Sequence, residues 1–182
     1  MGSYKFRVLL DNPNNEEIFR DIKISSENTF SEFYDIIIDS FYFKGDQLAS
    51  FYASNNSWDK GREISLMDMD TADGSESPLT MNDTVLKDLI TSDNQKFILV
   101  YDFLKMWCFL IELVGVSTES IEAPSIEISI GISPREDSRE VDLGDSLAES
   151  SQELGSDFDD IFNEFEDEDD FGGFENIDDF DI

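Results

Sequence analysis

Apolar and polar residues alternate at the start of the chain, and this alternation predicts two paired β-strands. The first strand places its apolar side chains at every second position, Tyr4, Phe6, Val8 and Leu10, and the second does so at Ile18, Ile22 and Ile24. Residues 11–15 between them read Asp-Asn-Pro-Asn-Asn, a composition typical of turns. The pattern therefore predicts an N-terminal hairpin.

The apolar spacing becomes helical after this hairpin. Thr29 is followed three positions later by Glu32, which is the signature of a capping box at a helix start. Apolar side chains then recur at helical intervals, at Phe30, Phe33, Ile37 and Phe41. Gly45 is expected to end this helix. A second, short helix is predicted over residues 85–90, introduced by Asn82.

The remaining apolar segments predict strands. Residues 48–53 and a short edge strand at 64–67 precede two nearly continuous apolar runs, 97–103 and 106–116, which meet at a turn at Leu104-Lys105. Such runs are typical of the central strands of a covered sheet. A last strand alternates at Ile126, Ile128 and Ile130. The mixed order of elements predicts an α+β domain with a single small mixed or antiparallel sheet, one main helix across one face and a short second helix.

Charge divides the chain into two parts. The net charge is -31, and residues 136–182 hold 20 acidic residues with Arg139 as their one basic residue. This segment is poor in Leu, Val and Ile, so it buries too little apolar surface to offset the entropy of ordering it. We therefore predict a domain of residues 1–133 and a disordered acidic tail of residues 134–182.

The tail carries aromatic residues as well as charge. Residues 157–182 contain 13 acidic residues, no basic residue, and six phenylalanines, Phe158, Phe162, Phe165, Phe171, Phe174 and Phe180. Phenylalanine in a disordered segment lowers solubility unless it docks on a partner, so these residues and Ile161 are the predicted partner-binding positions. A tail that only keeps the protein soluble is the alternative.

One segment of the tail has the spacing of an amphipathic helix. Phe158, Ile161, Phe162 and Phe165 fall at i, i+3, i+4 and i+7, which gives one apolar stripe on an acidic segment. A helix this short is marginal alone. We predict that residues 156–168 are disordered in the free protein and become helical against a basic partner with an apolar groove.

The residue types present exclude several kinds of catalytic site. The chain has no histidine and one cysteine, Cys108, so catalytic triads, thiol proteases and zinc sites of histidine and cysteine cannot form. Cys108 lies in an apolar run and is expected to be a buried thiol in a reducing, cytoplasmic compartment. Asp102 and Glu112 are the one carboxylate pair of the domain that suits acid–base chemistry, although structural roles beside Lys105 or in solvent are the simpler interpretation. No catalytic residue, metal site or cofactor is predicted.

The net charge also restricts the partners. It opposes binding to phosphate backbones and to anionic lipid, so the expected partner is a basic protein surface rather than nucleic acid or a membrane. Residues 97–116 are apolar enough to suggest a membrane span, but Asp102, Lys105 and Glu112 within them argue against one. Trp58, in a polar loop beside Asp59, is a candidate contact of the domain, and a ring folded back on the sheet is the alternative.

Several segments taken together resemble the plasmid pRiA4b ORF-3-like family. These segments are Thr29-Phe30, Phe33-Tyr34, Ile37, Ser40-Phe41, Asp46-Gln47-Leu48, Phe51, Tyr101-Asp102-Phe103 and Trp107. The chain departs from the family pattern where Phe33-Tyr34, Gln47, Leu104-Lys105 and Cys108-Phe109 stand at positions that carry histidine or glycine-aspartate. The resemblance implies a divergent branch without the functions of those histidines. It also implies a bacterial origin, since the family is associated with plasmids. The family has no demonstrated activity that the resemblance could transfer to this chain.

Three functions remain open on the sequence alone. The leading hypothesis is a non-enzymatic interaction protein whose acidic, aromatic tail engages a basic partner, with a nucleic-acid-binding protein as one candidate. The second is a small-ligand-binding domain or a carboxylate-based enzyme, with a regulatory tail. The third is a structural adaptor whose sheet edge pairs with another chain. The oligomeric state is left open.

Overall fold

The computed structural model of the protein describes residues 1–68, 74 and 78–140. These residues form eight strands, a main helix, a short second helix and a final 3-10 turn. In chain order the elements are β1 Ser3–Leu10, β2 Phe19–Ser25, α1 Phe30–Ser40, β3 Ala49–Ser54, β4 Glu63–Ser65, β5 Leu79–Thr80, α2 Leu86–Leu89, β6 Lys96–Tyr101, β7 Trp107–Ser117, β8 Ser125–Ile130 and the turn Glu136–Ser138.

The strands form one mixed sheet in the order β5-β4-β3-β6-β7-β1-β2-β8. All neighbouring pairs are antiparallel except β4 and β5, which are parallel. The two continuous apolar runs become β6 and β7 in the middle of the sheet, as their composition indicated. The predicted α+β fold, with one sheet and one main helix, is confirmed.

Helix α1 begins where the capping box predicted. The Thr29 hydroxyl accepts a hydrogen bond from the Glu32 backbone N–H at 3.3 Å, and the Glu32 carboxylate accepts one from the Thr29 N–H at 2.8 Å. Two of the helix's free backbone donors are therefore satisfied. The helix ends at Ser40, with Phe41 as its C-cap, before the predicted stop at Gly45.

The core lies between α1 and the inner face of the sheet. All four side chains of the predicted helical stripe, Phe30, Phe33, Ile37 and Phe41, are fully buried. The Phe33 ring packs between Phe6 of β1 and Phe51 of β3, with ring centroids 4.7 Å and 5.7 Å away. Aromatic rings dominate this core, and such pairs stabilise it beyond their buried area.

The sheet edges differ from the sequence prediction at one side. The predicted edge strand at 64–67 is β4, which pairs with β3 on one side and with β5 on the other. Strand β5 is two residues long, too short to show any periodicity. On the opposite side β8 forms the edge, next to β2.

The folded unit extends beyond the predicted domain boundary. It spans Met1–Glu140, so residues 134–140, assigned to the tail on charge alone, belong to it. The other tail residues, including all seven predicted partner-binding positions and the predicted helix 156–168, lie outside the described residues. No helix in the part of the chain that the structure describes is long and apolar enough to cross a membrane.

Candidate functional site

The end of the β6–β7 hairpin borders a cleft of about 340 Å³. Tyr101 ends β6 and pairs with Trp107, which begins β7. The cleft lies between this hairpin end, the loop after α1 and the segment after β8. Its lining residues are mostly charged or polar in type and are Tyr42, Lys44, Asp46, Gln47, Asp102, Lys105, Arg135, Glu136 and Asp137.

Asp102 organises the hairpin turn. Its Oδ1 accepts hydrogen bonds from the backbone N–H groups of Leu104 and Lys105 at 3.1 and 3.2 Å, and its own backbone has a positive φ of 60°. Aspartate tolerates this left-handed conformation better than most residues. The side chain is 7% exposed, so its carboxylate is committed to the turn.

The acid–base pairing of Asp102 with Glu112 is not formed. Glu112 lies in the middle of β7, opposite Lys96 of β6 and Arg7 of β1. It is five positions along β7 from Trp107, which places it roughly 17 Å from the hairpin end at about 3.4 Å per residue. The sequence pairing assumed that both carboxylates lie at strand ends, and the length of β7 separates them.

Residues 133–139, here called the C-terminal strap, close one side of the cleft. Glu136 Oε1 accepts a hydrogen bond from the Tyr101 hydroxyl at 2.6 Å, and Oε2 accepts one from the Lys44 backbone N–H at 2.8 Å. The Trp107 indole N–H donates to the Glu136 backbone carbonyl at 3.2 Å. One acidic residue therefore ties the strap to both the hairpin and the loop after α1.

The two ends of the strap add further contacts. The Ser133 hydroxyl donates to the Phe41 carbonyl at 2.8 Å. The Arg139 guanidinium lies 4.5 Å from the centroid of the Trp107 ring and donates to the backbone carbonyls of Lys105 and Met106. These contacts explain why the folded unit continues to Glu140 although its charge pattern changes earlier.

The strap contacts give a prediction about truncation. A chain that ends after Glu140 should keep the thermal transition of the full chain or gain slightly, because it loses 17 acidic residues and their mutual repulsion. A chain that ends after Ser133 should unfold at a lower temperature, since it loses the Glu136 and Arg139 contacts. Calorimetry of the three chains checks this. Equal transitions for the two truncated chains would mean that the strap contributes no stability.

Two buried tyrosines beside the cleft differ in their hydrogen bonding. The Tyr101 hydroxyl donates to Glu136 and accepts from the Gly45 backbone N–H at 3.1 Å. The Tyr34 hydroxyl is buried and has no hydrogen-bond partner among the described residues. Burial, together with the nearby carboxylates of Asp35, Glu136 and Asp46, raises the pKa of Tyr34 to about 12. The pKa of Tyr101 is also raised, first by burial and then by its hydrogen bond to Glu136.

Replacing these tyrosines should have opposite effects. Tyr34→Phe removes an unpaired buried hydroxyl and should leave the free energy of unfolding unchanged or raise it by about 1 kcal/mol, whereas Tyr101→Phe should lower it by about 2 kcal/mol. Because the folded state raises the pKa of Tyr34, this group leaves the free energy of unfolding unchanged below about pH 10. Between about pH 10 and 12 the free energy of unfolding falls, because the unfolded chain releases the Tyr34 proton first. Denaturant melts at pH 7 and pH 11 test this. Between pH 7 and pH 11 the free energy of unfolding should fall less for Tyr34→Phe than for the unmodified chain. An equal fall in the two chains would contradict the raised pKa of Tyr34.

Exposed apolar side chains surround the cleft. Tyr42, Leu48, Phe103, Leu104 and Met106, here called the hairpin-end rim, are between 40% and 85% exposed. Each either lines the cleft or is the sequence neighbour of a residue that does. Large apolar side chains gathered around one polar cleft are typical of an interaction surface.

Sequence analysis missed the rim for definable reasons. The sequence pattern predicts Phe103 and Met106 at the ends of buried strands and Leu104 in a turn. The charge pattern predicts Glu136 in the tail and gives no signal of its contacts. The spacing from Tyr101 to Trp107 was the available signal, since it marks a tight turn between two strands.

Trp58 and Cys108 are both held close to the sheet. Trp58 has a positive φ of 59° and is half-buried, and the Lys96 Nζ lies 4.7 Å from the centroid of its ring. The ring therefore lies toward β6, as in the alternative interpretation, and a role in partner contact stays a prediction. Cys108 is half-buried in β7, and burial raises the pKa of its thiol, so its thiolate is disfavoured.

Comparisons with known proteins identify the family and support the fold. The sequence pattern of the plasmid pRiA4b ORF-3-like proteins matches residues 2–171. The crystal structure of a protein of unknown function from Methanosarcina mazei Go1 is similar, with a TM-score of 0.63 and 20% sequence identity over 86% of this chain and 87% of that one. At this identity the likeness concerns the fold alone. No curated protein matches the chain.

Three of the segments that suggested this family in the sequence, 46–48, 101–103 and Trp107, lie at the cleft. Gln47, Tyr101, Asp102 and Trp107 lie in or beside it, and Leu48 and Phe103 belong to the hairpin-end rim. Segments 52 positions apart in the sequence are joined there by the pairing of Ala49 with Tyr101. This end of the sheet is the candidate functional site of the domain.

Proposed function

The chain belongs to the plasmid pRiA4b ORF-3-like family, and from that premise we propose that it is a non-enzymatic interaction protein whose acidic, aromatic tail engages a basic partner surface. The observation that carries this proposal is the composition of residues 157–182, with 13 acidic residues, no basic residue and six phenylalanines. Charge alone accounts for solubility, so the aromatic residues are the feature that supports a partner.

The charge of the tail favours rapid, salt-dependent association. A field of one sign steers a basic partner toward the tail and suppresses encounters with acidic surfaces. The phenylalanines then supply the apolar contacts that charge cannot. A nucleic-acid-binding protein is the partner class that fits best, since its basic site has the complementary charge. We place this interaction in a bacterial cytoplasm, because the lone cysteine suits a reducing compartment and the family takes its name from a plasmid.

The chemistry of the cleft supports a binding role for the domain as well. Its carboxylates at Asp102 and Glu136 are held by the turn and the strap. Groups held in this way contribute to structure and are poorly placed to exchange protons with a substrate. The hairpin-end rim offers apolar contact area beside them.

A small-ligand-binding domain is the second candidate, and the cleft volume of about 340 Å³ favours it. Pockets for small molecules start at roughly 300 Å³. In this case Lys44 and Lys105 would bind an anionic ligand, since they are lining residues without a salt bridge among the described residues. The tail would then be regulatory.

Affinity capture from a bacterial lysate with four chains tests the proposal. They are the full chain, the chain ending after Glu140, a full chain with Phe158, Phe162 and Phe165 replaced by Ser, and a full chain with Leu104→Asp in the rim. The full chain should capture basic proteins, and the truncated chain should not. The serine variant keeps its charge and should capture the same proteins more weakly. Leu104→Asp should retain them.

The pattern of losses separates the hypotheses. Basic proteins held equally by the truncated chain would contradict a role for the tail. Equal capture by the serine variant would mean that charge alone binds. A loss with Leu104→Asp alone would assign the partner to the hairpin-end rim.

A further inference from the structure

Strand β8 carries exposed isoleucines at the edge of the sheet, and its bulge places Ile128 and Ile130 on the outer face and Ile126 on the other. Ile126, Ile128 and Ile130 are 45%, 38% and 42% exposed, and Ile132 beyond the strand is 91% exposed. All six residues of β8 are exposed, unlike those of any other strand among the described residues. An edge strand that exposes large apolar β-branched side chains is a template for pairing with another chain.

The backbone of β8 is satisfied on one side. It pairs antiparallel with β2, from Phe19 with Ile130 to Lys23 with Ser125, and no described strand lies on its other side. In an antiparallel strand alternate residues direct their N–H and C=O groups to opposite neighbours. Within the part of the chain that the structure describes, the backbone groups of β8 that face away from β2 have no strand to pair with.

Arg20 holds this edge in place. Its side chain is buried, and its guanidinium donates to the carbonyls of Ile130 at 2.8 Å, Gly131 at 3.2 Å and Ser40 at 3.0 Å. These bonds join the end of β8 to the end of α1. The edge is consequently preorganised, and a partner strand does not have to order it first.

The usual protection of an exposed edge is weak here. Natural edges carry lysine, proline or an inward charge. β8 has one bulge, where Asp21 pairs with Ile128 and Ile22 with Ile126, and one charged residue, Glu127. Glu127 is paired with Lys5 at 2.8 Å across the outer face of the sheet, so its charge does not guard the open side of the strand.

We propose that β8 accepts an extended, basic segment of a partner protein as an additional strand of the sheet. Backbone hydrogen bonds join the partner to β8, and Ile128 and Ile130 on the outer face pack against apolar side chains of the partner strand. Charge selects the occupant. Residues 1–140 hold 26 acidic and 12 basic residues, and Glu119 and Glu122 precede the strand, so a second copy of the chain is repelled and a basic segment is attracted. This site is separate from the tail, and either can fail without the other.

The test uses the full chain and a synthetic peptide of five Lys-Val repeats. Its control has the same sequence with N-methyl groups on two adjacent central residues, which removes a donor from each peptide edge and leaves charge and side chains unchanged. Amide hydrogen exchange is followed by NMR. At a peptide concentration of about ten times its Kd, exchange at open-side amides of residues 125–130 should slow about tenfold, and the methylated peptide should have no such effect.

Two matched variants locate the site. Ile128→Lys and Val114→Lys each place a lysine at a partly exposed apolar strand position, 38% and 44% exposed, but Val114 lies on β7 inside the sheet. Ile128→Lys should weaken peptide binding at residues 125–130 at least about tenfold, because a lysine on an edge blocks strand addition and repels the peptide. Val114→Lys should change it less than about twofold.

Three results would overturn the proposal. Protection confined to residues outside 125–130, such as the acidic tail, would mean that the peptide binds through charge alone. Equal protection by the methylated peptide would exclude backbone pairing. Sedimentation of the unmodified chain as a dimer that Ile128→Lys dissociates would identify the occupant as a second copy. The exchange map needs no variant, so a poorly folded Ile128→Lys chain still leaves the proposal testable.

Discussion

Phe33→Ala is expected to lower the free energy of unfolding by about 3–5 kcal/mol. The Phe33 side chain is fully buried on α1, stacked on Phe51 at an interplanar angle of 7° and packed against Phe6. Truncation removes its buried apolar area and leaves a cavity that the flanking strands β1 and β3 cannot close, since the sheet pairing fixes both. Phe41→Ala should cost a similar amount, because Phe41 is equally buried and also covers the Arg20 guanidinium at 4.7 Å.

Phe103→Ala provides the control for this prediction. It makes the same chemical change in the β6–β7 turn, where the ring is 40% exposed, and should change the free energy of unfolding by less than about 1 kcal/mol. Urea unfolding at equilibrium gives all three values. A loss below about 1 kcal/mol for Phe33→Ala would mean that α1 does not bury this face.

Arg7→Met should cost about 3 kcal/mol, because it leaves a buried carboxylate without its cation. Asp21 is 1% exposed and accepts two hydrogen bonds from the Arg7 guanidinium, each at 2.8 Å. The same guanidinium lies 4.4 Å from the Phe19 ring centroid and faces Glu112 across the β1–β7 pairing. In a chain of net charge -31, removing this cation also increases repulsion among the carboxylates.

Two further variants separate burial of the charge from loss of an ion pair. Arg135→Met breaks the ion pair with Asp137. The side chains of Arg135 and Asp137 are 83% and 63% exposed, so this change should lower the free energy of unfolding by less than about 1 kcal/mol. Adding Asp21→Asn to Arg7→Met removes the orphaned charge and should recover part of the loss. Thermal and urea unfolding provide the values. No recovery in the double variant would mean that Arg7 stabilises the fold mainly by packing on Phe19.

The local patterns of the sequence predicted α1 and the central strands well, because each is decided by interactions within a few residues. The capping box and the phenylalanine spacing gave the start and the buried face of α1. The predicted helix end was too late, since Gly45 belongs to the following loop, where its φ is positive at 74°. Strand β5 was not predicted, because its two residues are ordered by parallel pairing with β4 and a local sequence pattern does not show that contact.

The candidate site depends on contacts between distant segments, which one sequence does not reveal. Tyr101 and Glu136 are 35 positions apart, and charge composition separated them into domain and tail. The rim residues looked like parts of buried strands, because β6 and β7 are apolar up to and into their turn. The isoleucines of β8 showed the alternation of a strand, but their place at an edge follows from the sheet order alone.

The central claim is that the acidic tail binds a basic partner through its apolar stripe. Backbone chemical shifts of residues 156–168, recorded in the full chain alone and with a basic protein obtained by capture, test it most directly. The account predicts coil values in the free chain, helical values in the complex with the largest changes around Phe158, Phe162 and Phe165, and weaker binding as salt rises. Coil values in both states, with shift changes confined to the domain, would contradict it.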